Sequence, residues 1–143
     1  MSENSMRKFV ETRLSTNMGT SYPTWGIKIP NIKFDTPDQY VAHFILEGDS
    51  QQTTLGNVAQ VRHVGVLQID VYVQVDSGTG ALNEVVDFVG GLFTRLSTNL
   101  EDQARVVFRT AKSRSMGAYD GYERKVVSIP WYRDEVKTSH QIA

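Results

Sequence analysis

Apolar residues near the N-terminus recur every three or four positions, the spacing that places them on one face of an α-helix. This stripe lies within residues 3–17 and consists of Met6, Phe9, Val10 and Leu14. Polar and charged residues occupy the positions between them, so one face of the segment suits a protein core and the other suits water. The pattern predicts a first amphipathic helix over about residues 3–17.

A second helical stripe follows residue 80 and is longer than the first. It spans about residues 80–96 and is formed by Leu82, Val85, Val86, Val89, Leu92, Phe93 and Leu96. Gly90 and Gly91 lie inside this segment, and each lowers the helix propensity by about 1 kcal/mol relative to alanine. Because that loss must be offset elsewhere, we expect the glycines to let another part of the backbone approach the helix closely.

Between the two helices, the apolar period changes from helical to alternating. Residues 40–47 are rich in β-branched and aromatic side chains and predict one strand. A second strand begins near Val61, and its alternating apolar residues are Leu67, Ile69, Val71, Val73 and Val75. Turn residues separate the two strands, so we expect an antiparallel pair with one face in the core and one in water. The residues expected on the wet face are Gln68, Asp70, Tyr72 and Gln74.

Two more strands are predicted towards the C-terminus, at about residues 105–112 and 122–132. The glycines and the aspartate of the intervening residues 113–121 are typical of a hairpin loop. Pro130 cannot donate a backbone hydrogen bond, which suits a strand end or an edge. Together the segments predict an α+β fold, in which a mostly antiparallel sheet of four to five strands is packed by the two helices.

The chain has 143 residues, a length that fits a single domain over residues 1–143. Prolines at three positions disfavour a helix over about residues 20–39, so we expect an extended arm there. The apolar side chains of the arm are too numerous for a free linker, and we expect them to lie on this domain or on a neighbouring chain. The polar residues from about 134 onward predict a flexible C-terminal tail.

The charge balance excludes a general attraction to nucleic acid or to anionic lipid. The 15 Lys and Arg residues stand against 16 Asp and Glu residues, which gives a formal net charge of −1. The chain has no cysteine, which excludes disulfides, thiolate nucleophiles and cysteine metal sites. No window approaches the roughly 18 apolar residues that a membrane span requires, and the charged N-terminal residues lack the apolar run of a signal peptide.

Residues 76–80, with the sequence DSGTG, stand between a predicted strand and a predicted helix, as do many phosphate-binding loops. A P-loop requires a lysine and a hydroxyl residue after its second glycine, but Ala81 and Leu82 occupy these positions. The dinucleotide fingerprint requires a glycine where this chain has Asn83. The pattern therefore favours a turn that caps the second helix, with no nucleotide or other cofactor.

Catalytic and metal-binding patterns are also incomplete. His43 and His63 lie in two strands that could pair, but no third ligand stands at a recognisable spacing. No serine lies in a G-x-S-x-G turn, and none can be matched with a histidine from the sequence. We therefore predict no catalytic residue, no cofactor-binding residue and no metal ligand, and we do not expect an enzyme.

Six basic residues would form one basic surface if the predicted strands lie side by side. They are Arg62, His63, Lys112, Arg114, Arg124 and Lys125. Such a surface could contact phosphate or nucleic acid. Charged positions on the solvent face of a sheet explain the same residues without a ligand, and the small net charge favours this second interpretation.

The order and spacing of the segments, rather than any single residue, resemble a known protein family. The stretches that carry the resemblance are VETRLSTN in the first helix, IPNIKFDTP before the first strand, FILEGDSQQTTLG, RHVGVLQIDVYVQVDSGTG and VVSIPWYRDE. Over about residues 6–135 the chain resembles the tail terminator, or tail completion, proteins of long-tailed bacteriophages. None of these stretches has a catalytic explanation.

The resemblance implies a structural virion protein. Such proteins form a ring, expected here to be a hexamer, that caps the head-proximal end of the phage tail tube, stops tail growth and offers the surface to which the head joins. The implied partners are further copies of the chain, the tail tube protein and head–tail connector proteins, with DNA passing through the lumen without specific binding. The implied location is the virion tail, after assembly in the host cytoplasm, with no membrane and no cofactor.

A ring of identical subunits needs two different complementary patches on each chain. For the subunit or tube interface we predict residues of the arm and of the hairpin, namely Trp25, Ile29, Ile32, Phe34, Arg114 and Met116. Two other functions stay open at this point. A head–tail connector or neck (stopper) subunit would also form a ring, and a small-ligand-binding module or a hydrolase would use a cleft between sheet and helix.

Overall fold

A computed structural model describes residues 2–28, 39–52, 58–74, 80–100, 104–119 and 121–138. Two helices lie in this part of the chain, α1 (Ser2–Ser21) and α2 (Gly80–Phe93). The strands are β1 (Gly26–Lys28), β2 (Gln39–Gln52), β3 (Val58–Gln74), β4 (Ser97–Asn99), β5 (Arg105–Phe108), β6 (Lys112–Tyr119) and β7 (Tyr122–Thr138).

The seven strands of the described residues join one curled, mixed sheet in the order β1-β2-β3-β7-β5-β4, with β6 also paired to β7. β1 runs parallel to β2, and the other pairings among these strands are antiparallel. The prediction of a mostly antiparallel sheet of four to five strands is therefore wrong. Two of the missed strands, β1 and β4, have three residues each, which is too short for an alternating pattern to be recognised.

The predicted strand over residues 105–112 is interrupted, which adds another strand to the sheet. β5 ends at Phe108 and β6 begins at Lys112, and both pair with the same edge of β7. Opposite the interruption stands Pro130, whose carbonyl oxygen accepts a hydrogen bond of 2.7 Å from the backbone N–H of Arg109. Pro130 lies in the middle of β7 and has no N–H to donate towards that edge, so a regular ladder cannot continue there.

The predicted hairpin loop over residues 113–121 is mostly strand. β6 extends to Tyr119, which pairs with the first residue of β7, so the connecting turn is limited to two residues. Gly121 has a φ of 83° in this turn, and Gly117, with a φ of 75°, follows the register shift at Met116. The glycines that suggested a loop therefore serve a tight turn and a β-bulge, where positive φ is required.

α1 and α2 cover one face of the sheet, and their apolar stripes enter the core. In α1 the fully buried apolar residues are Met6, Val10, Leu14 and Met18. Met18 continues the stripe by one more turn, which explains why the helix extends past the predicted end at residue 17. Burial of one such side chain contributes about 1.5–3 kcal/mol to stability.

α2 begins at the predicted residue and ends at Phe93, before the predicted residue 96. Gly90 faces the sheet, where a Cβ atom would lie 3.5 Å from Ala111 and 3.7 Å from Val127. Gly91 lies on the exposed side, where a Cβ atom would meet nothing within 4 Å. Both distances from Gly90 are ordinary van der Waals contacts with side chains, so among the described residues close approach of another backbone explains neither glycine.

The predicted arm and the predicted tail are described only in part. The arm over residues 20–39 begins inside α1 and includes β1, while residues 29–38 lie outside the described residues. The tail from about residue 134 begins inside β7, which pairs with β3 as far as Thr138, and residues 139–143 are not among those described. The single domain, the arm and the flexible tail stay predictions. Within the described residues, neither helix is long and apolar enough to cross a membrane.

Candidate functional site

The face of the sheet opposite the two helices carries an exposed apolar patch. Phe44 and Leu46 of β2 are 37 % and 49 % exposed, and Val64 of β3 is 42 % exposed. The register places Leu46 beside Val66, so Leu46 and Val64 share one face of the sheet. We call Phe44, Leu46 and Val64 the outer patch. Such exposed apolar clusters are typical of surfaces that contact another protein.

The sequence did not reveal the outer patch, because residues 40–47 are apolar on both faces of the strand. Val41 and Ile45 pack against the helix-covered core, whereas Phe44 and Leu46 alternate with them and point away from it. A run that is apolar on both faces is typical of a strand covered on both sides. The apolar run therefore indicates that this strand needs a cover on both faces. It does not indicate which of the two faces the helices cover.

Further along the outer face, three tyrosines form a partly buried cluster. The rings of Tyr40 and Tyr72 are stacked, with centroids 4.4 Å apart, and the ring of Tyr122 meets both edge-on at 5.5 and 6.0 Å. The three residues come from β2, β3 and β7. Because aromatic pairs in these geometries attract each other beyond their buried area, the cluster holds the three strands together on this face.

Asp70 of β3 is buried on the same face, so the expectation of a wet face along this strand is wrong in its middle. Its carboxylate accepts hydrogen bonds from Gln68 Nε2 at 2.9 Å and from the Tyr72 hydroxyl at 3.3 Å. The Arg124 guanidinium lies 3.8 Å from the same carboxylate. Burial raises the pKa of Tyr72, which keeps its hydroxyl protonated as a donor. These partners offset the cost of burying a charged group.

β3 and β7 are also joined by two polar side-chain contacts on opposite faces of the sheet. The Arg62 guanidinium donates to both carboxylate oxygens of Asp134, at 2.8 and 3.0 Å. His63 Nε2 lies 2.6 Å from Glu135 Oε1 on the helix-covered side. Arg62 also lies over the ring of Tyr132, 4.2 Å from its centroid. Arg62 and His63 thus help to pair β3 with β7 within the subunit.

Arg133 of β7 is 0 % exposed although its guanidinium is always charged. Its Nη1 donates a hydrogen bond to Glu47 Oε1 at 3.0 Å and lies 3.5 Å from the sulfur of Met6. Its Nε and Nη2 have no hydrogen-bond partner among the described residues. Glu47 therefore supplies the opposite charge that a buried guanidinium requires, and it ties β2 to β7 across β3.

The six basic residues of the predicted phosphate-binding surface do not form one surface. Arg62 and Arg124 lie on the outer face, whereas His63 and Lys125 lie on the helix-covered face. Three of these four are paired with a carboxylate, and Lys125 donates to the side-chain oxygen of Asn83. The remaining two basic residues are exposed on β6. The arrangement favours the second interpretation, in which these basic residues are ordinary charges of a sheet surface. Several of them also hold neighbouring strands together.

His43 and His63 do not come together as metal ligands. His43 is buried, and its Nε2 lies 3.7 Å from Glu11 Oε1, whereas His63 contacts Glu135. No group of three or more potential ligands occurs within the part of the chain that the structure describes. Burial lowers the pKa of His43, and the nearby Glu11 carboxylate opposes that shift without reversing it. His43 is thus a core residue that prefers its neutral form.

Two further places were candidates for a ligand, the DSGTG segment and a groove beside α1. Of the DSGTG segment, Gly80 is described as the first residue of α2, and residues 76–79 lie outside the described residues. A groove of about 520 Å³ runs along α1 beside Leu100. Its Arg13 donates a hydrogen bond to the carbonyl oxygen of Leu92, so this charge serves the packing of α1 on α2.

The predicted interface residues are placed in different environments. Trp25 is half-buried against the core, and its ring meets that of Tyr22 edge-on at 6.4 Å. Arg114 and Met116 are exposed on β6, within a strand rather than at a hairpin tip. The other three lie outside the described residues and are Ile29, Ile32 and Phe34. A shared role of these residues at an interface stays a prediction.

Comparison with known proteins gives one family and one fold. The family described as phage tail terminator protein matches residues 5–131 of the chain. Among solved structures 15 chains match, and one of them is 21 % identical with a TM-score of 0.73. That match covers 94 % of this chain and 96 % of the other, and at this identity it shows a shared fold. None of the curated proteins matches the chain significantly.

Proposed function

Because this chain belongs to the phage tail terminator family, we propose that it is a structural virion protein whose copies form a hexameric ring on the head-proximal end of the tail tube. The ring stops tail growth and presents the surface to which the filled head joins. The observation that carries the proposal is the family match, which includes most of α1, all of α2 and β1 to β6. A structural role in the phage tail follows from the family itself.

A ring that ends a polymer must have two unlike faces. Contacts between copies in a ring are head-to-tail, so each copy presents two different complementary patches to its neighbours. We expect one face of the ring to match the end of the tube, while the other face does not repeat that surface. No further tube subunit can then bind to the capped end. The second face is left to bind head–tail connector proteins.

The described residues support a role that depends on shape. His63 and Arg62 are each engaged with a carboxylate of β7, so these groups stabilise the sheet. The outer patch, in contrast, is exposed and apolar on a sheet built from long strands. A rigid surface with exposed apolar residues is suited to binding another protein.

The charge of the chain suits a lumen through which DNA passes. A strongly basic lumen would neutralise phosphates, release counterions and hold the DNA. The net charge of −1 avoids this attraction. We therefore expect DNA to pass without specific binding, no cofactor to be needed, and the protein to reside in the virion tail after assembly in the host cytoplasm.

Electron micrographs of particles assembled without this chain test the proposed function. We expect overlong or unfinished tails, and a return to uniform tail length when the chain is supplied again. Tails of normal length beside unattached heads would contradict termination and indicate a connector or neck subunit. A purified chain that stays monomeric, and whose melting temperature rises with a small metabolite, would indicate a ligand-binding module instead.

A further inference from the structure

β2 and β6 each leave one strand edge without a partner strand within the described residues. β1 pairs with residues 40–42 of β2, and no other described strand pairs with this edge of β2 over residues 43–52, which we call its open edge. β6 pairs with β7 along one edge, and no described strand pairs with its other edge over Lys112–Tyr119. An open edge presents backbone N–H and C=O groups that a further strand can pair.

We propose that β6 of one copy pairs with the open edge of β2 in the next copy, and that this contact builds the ring. The occupant of each edge is thus a second copy of this chain, bound by strand addition. The inference rests on the proposed function, since it names the surface through which the copies of the ring bind each other.

The strand directions suit this contact. Three antiparallel pairings separate the two edges, namely β2 with β3, β3 with β7 and β7 with β6. β2 and β6 therefore run in opposite directions within one subunit. A rotation about an axis parallel to the strands keeps these directions, so β6 and the neighbouring β2 meet as an antiparallel pair. The sheets of adjacent copies then join into one continuous sheet.

The charges of the two edge strands are opposite. β6 carries Lys112 and Arg114 and no acidic residue. The open part of β2 carries Glu47 and Asp49 and no lysine or arginine. Glu47 lies on the helix-covered face, where it contacts Arg133 and stays partly exposed, whereas Lys112 and Arg114 lie on the outer face.

The positive charges of β6 limit which edges meet, because like charges directly opposite each other are destabilising. β6 is therefore disfavoured as a partner of a second β6. Pairing of β6 with the edge of β2, which carries no lysine or arginine, is head-to-tail, the contact that a closed ring requires.

Exposed apolar side chains lie beside both edges. The large exposed apolar residues in the described ranges are Phe44, Leu46, Val64 and Met116. Three of them form the outer patch on β2 and β3, and the fourth lies in β6. Strand addition would place Met116 beside Phe44 and Leu46 and shield part of their surface from water, whereas Val64 lies one strand further in. The hydrophobic effect thus favours a contact between these two edges.

Each edge strand also carries a β-bulge. The register of β2 shifts between Glu47 and Ser50, and that of β6 shifts between Ser115 and Gly117. Bulges increase the local twist and limit the length of edge that another strand can follow. The proposed contact is therefore short and curved, as closure into a ring requires, instead of an open-ended stack.

Cysteine cross-linking tests this pairing, because the chain has no cysteine of its own. Leu46→Cys and Met116→Cys are combined in one full-length chain, which is treated with a short bis-maleimide. Within a subunit, β3 and β7 keep the two strands about 14 Å apart at three strand spacings, which disfavours an internal link. We expect a ladder of covalently joined copies that ends at the size of the ring.

The matched controls use the same chemistry at other positions. Each single-cysteine variant is expected to stay unlinked, because a head-to-tail contact never brings two identical positions together. The pair Thr12→Cys with Met116→Cys moves one cysteine to an exposed position of α1 and is also expected to give no ladder.

Light scattering of the same samples, and their sedimentation with purified tail tubes, separate the outcomes. Rings that also give the ladder support the pairing. Rings without the ladder, or dimers from a single-cysteine variant, would overturn the pairing and leave the proposed function standing. A chain that stays monomeric and does not sediment with tubes would overturn both.

Discussion

The indole of Trp131 occupies the space in which a side chain at position 65 would lie. A Cβ atom placed on Gly65 would stand 2.5 Å from Cζ2 of Trp131, and it would also overlap the carbonyl oxygen of Leu46. Trp131 lies directly opposite Gly65 in the pairing of β3 with β7 and is buried. The glycine therefore lets β2, β3 and β7 pack around one tryptophan.

We predict that Gly65→Ala destabilises the protein by about 1–3 kcal/mol, because the added methyl group must displace packed atoms. Gly91→Ala is the matched control, since a Cβ atom there meets nothing within 4 Å. Alanine at that helix position is expected to stabilise by up to about 1 kcal/mol. Urea unfolding followed by tryptophan fluorescence measures both, and an unchanged midpoint for Gly65→Ala would contradict the packing of Trp131.

We predict that Glu47→Ala destabilises the folded subunit more than Arg133→Met does. Loss of Glu47 leaves the buried guanidinium without its carboxylate, and breaking a buried pair in this way costs about 3–5 kcal/mol. Because Glu47 is partly exposed, we expect a loss near or below the lower end of that range. Methionine at position 133 removes the charge and keeps much of the volume. Urea titrations compare the two variants, and a larger loss for Arg133→Met would refute this interpretation.

We predict that His43 contributes to a loss of stability as the pH falls from 7 to 5. Burial lowers the pKa of His43 in the folded protein, so the unfolded chain takes up the proton at a higher pH than the folded chain does. Protonation below about pH 6.5, the ordinary pKa of histidine, therefore favours unfolding. His43→Gln should show a shallower decrease in the free energy of unfolding over this range. Identical slopes for the two proteins would count against the role of His43.

We predict that Arg114→Glu prevents ring assembly, because it places like charges at the proposed contact of β6 with β2. Arg114→Lys keeps the positive charge and is the matched control, which should assemble as the wild-type chain does. Arg114 is exposed, so the stability of the isolated subunit should change by less than about 0.5 kcal/mol. Light scattering at low ionic strength measures the fraction of rings. Assembly that is indifferent to the reversal would exclude this contact.

The two helices could be predicted because the signal of each is local. The apolar stripe of α1 repeats every three to four residues from Met6 to Met18, and the glycines of α2 do not interrupt its stripe. The predicted end of α1 at about residue 17 is too early, because Met18 extends the buried stripe by one more turn.

The sheet could be predicted only in part, because its strand number depends on contacts between distant residues. The break between β5 and β6 is set by Pro130, which lies 18 or more residues further along the chain. The burial of Tyr72 depends on rings supplied by Tyr40 and Tyr122. A local alternation shows which residues share a face, and it does not show what covers that face.

The candidate interface shows the same limit. Trp25 was predicted at an interface because an apolar residue in a proline-bearing segment needs a cover, and in the structure the core of its own subunit supplies much of that cover. Phe44 and Leu46, in contrast, are exposed together with Val64 and Met116, and the described part of the subunit does not cover them. Their exposure follows from the order of the strands in the sheet. The alternation of apolar residues along the chain does not reveal that order.

The central claim is that this protein binds the end of a tail tube and blocks the addition of further tube subunits. Growth of purified tail tubes with and without the purified chain tests this claim most directly. We predict that the chain limits tube length in electron micrographs and appears as a ring on one end of each tube. Arg114→Glu, expected not to form rings, should leave tube length unchanged. Tubes that grow equally long with the wild-type chain present, and whose two ends both stay bare, would contradict the claim.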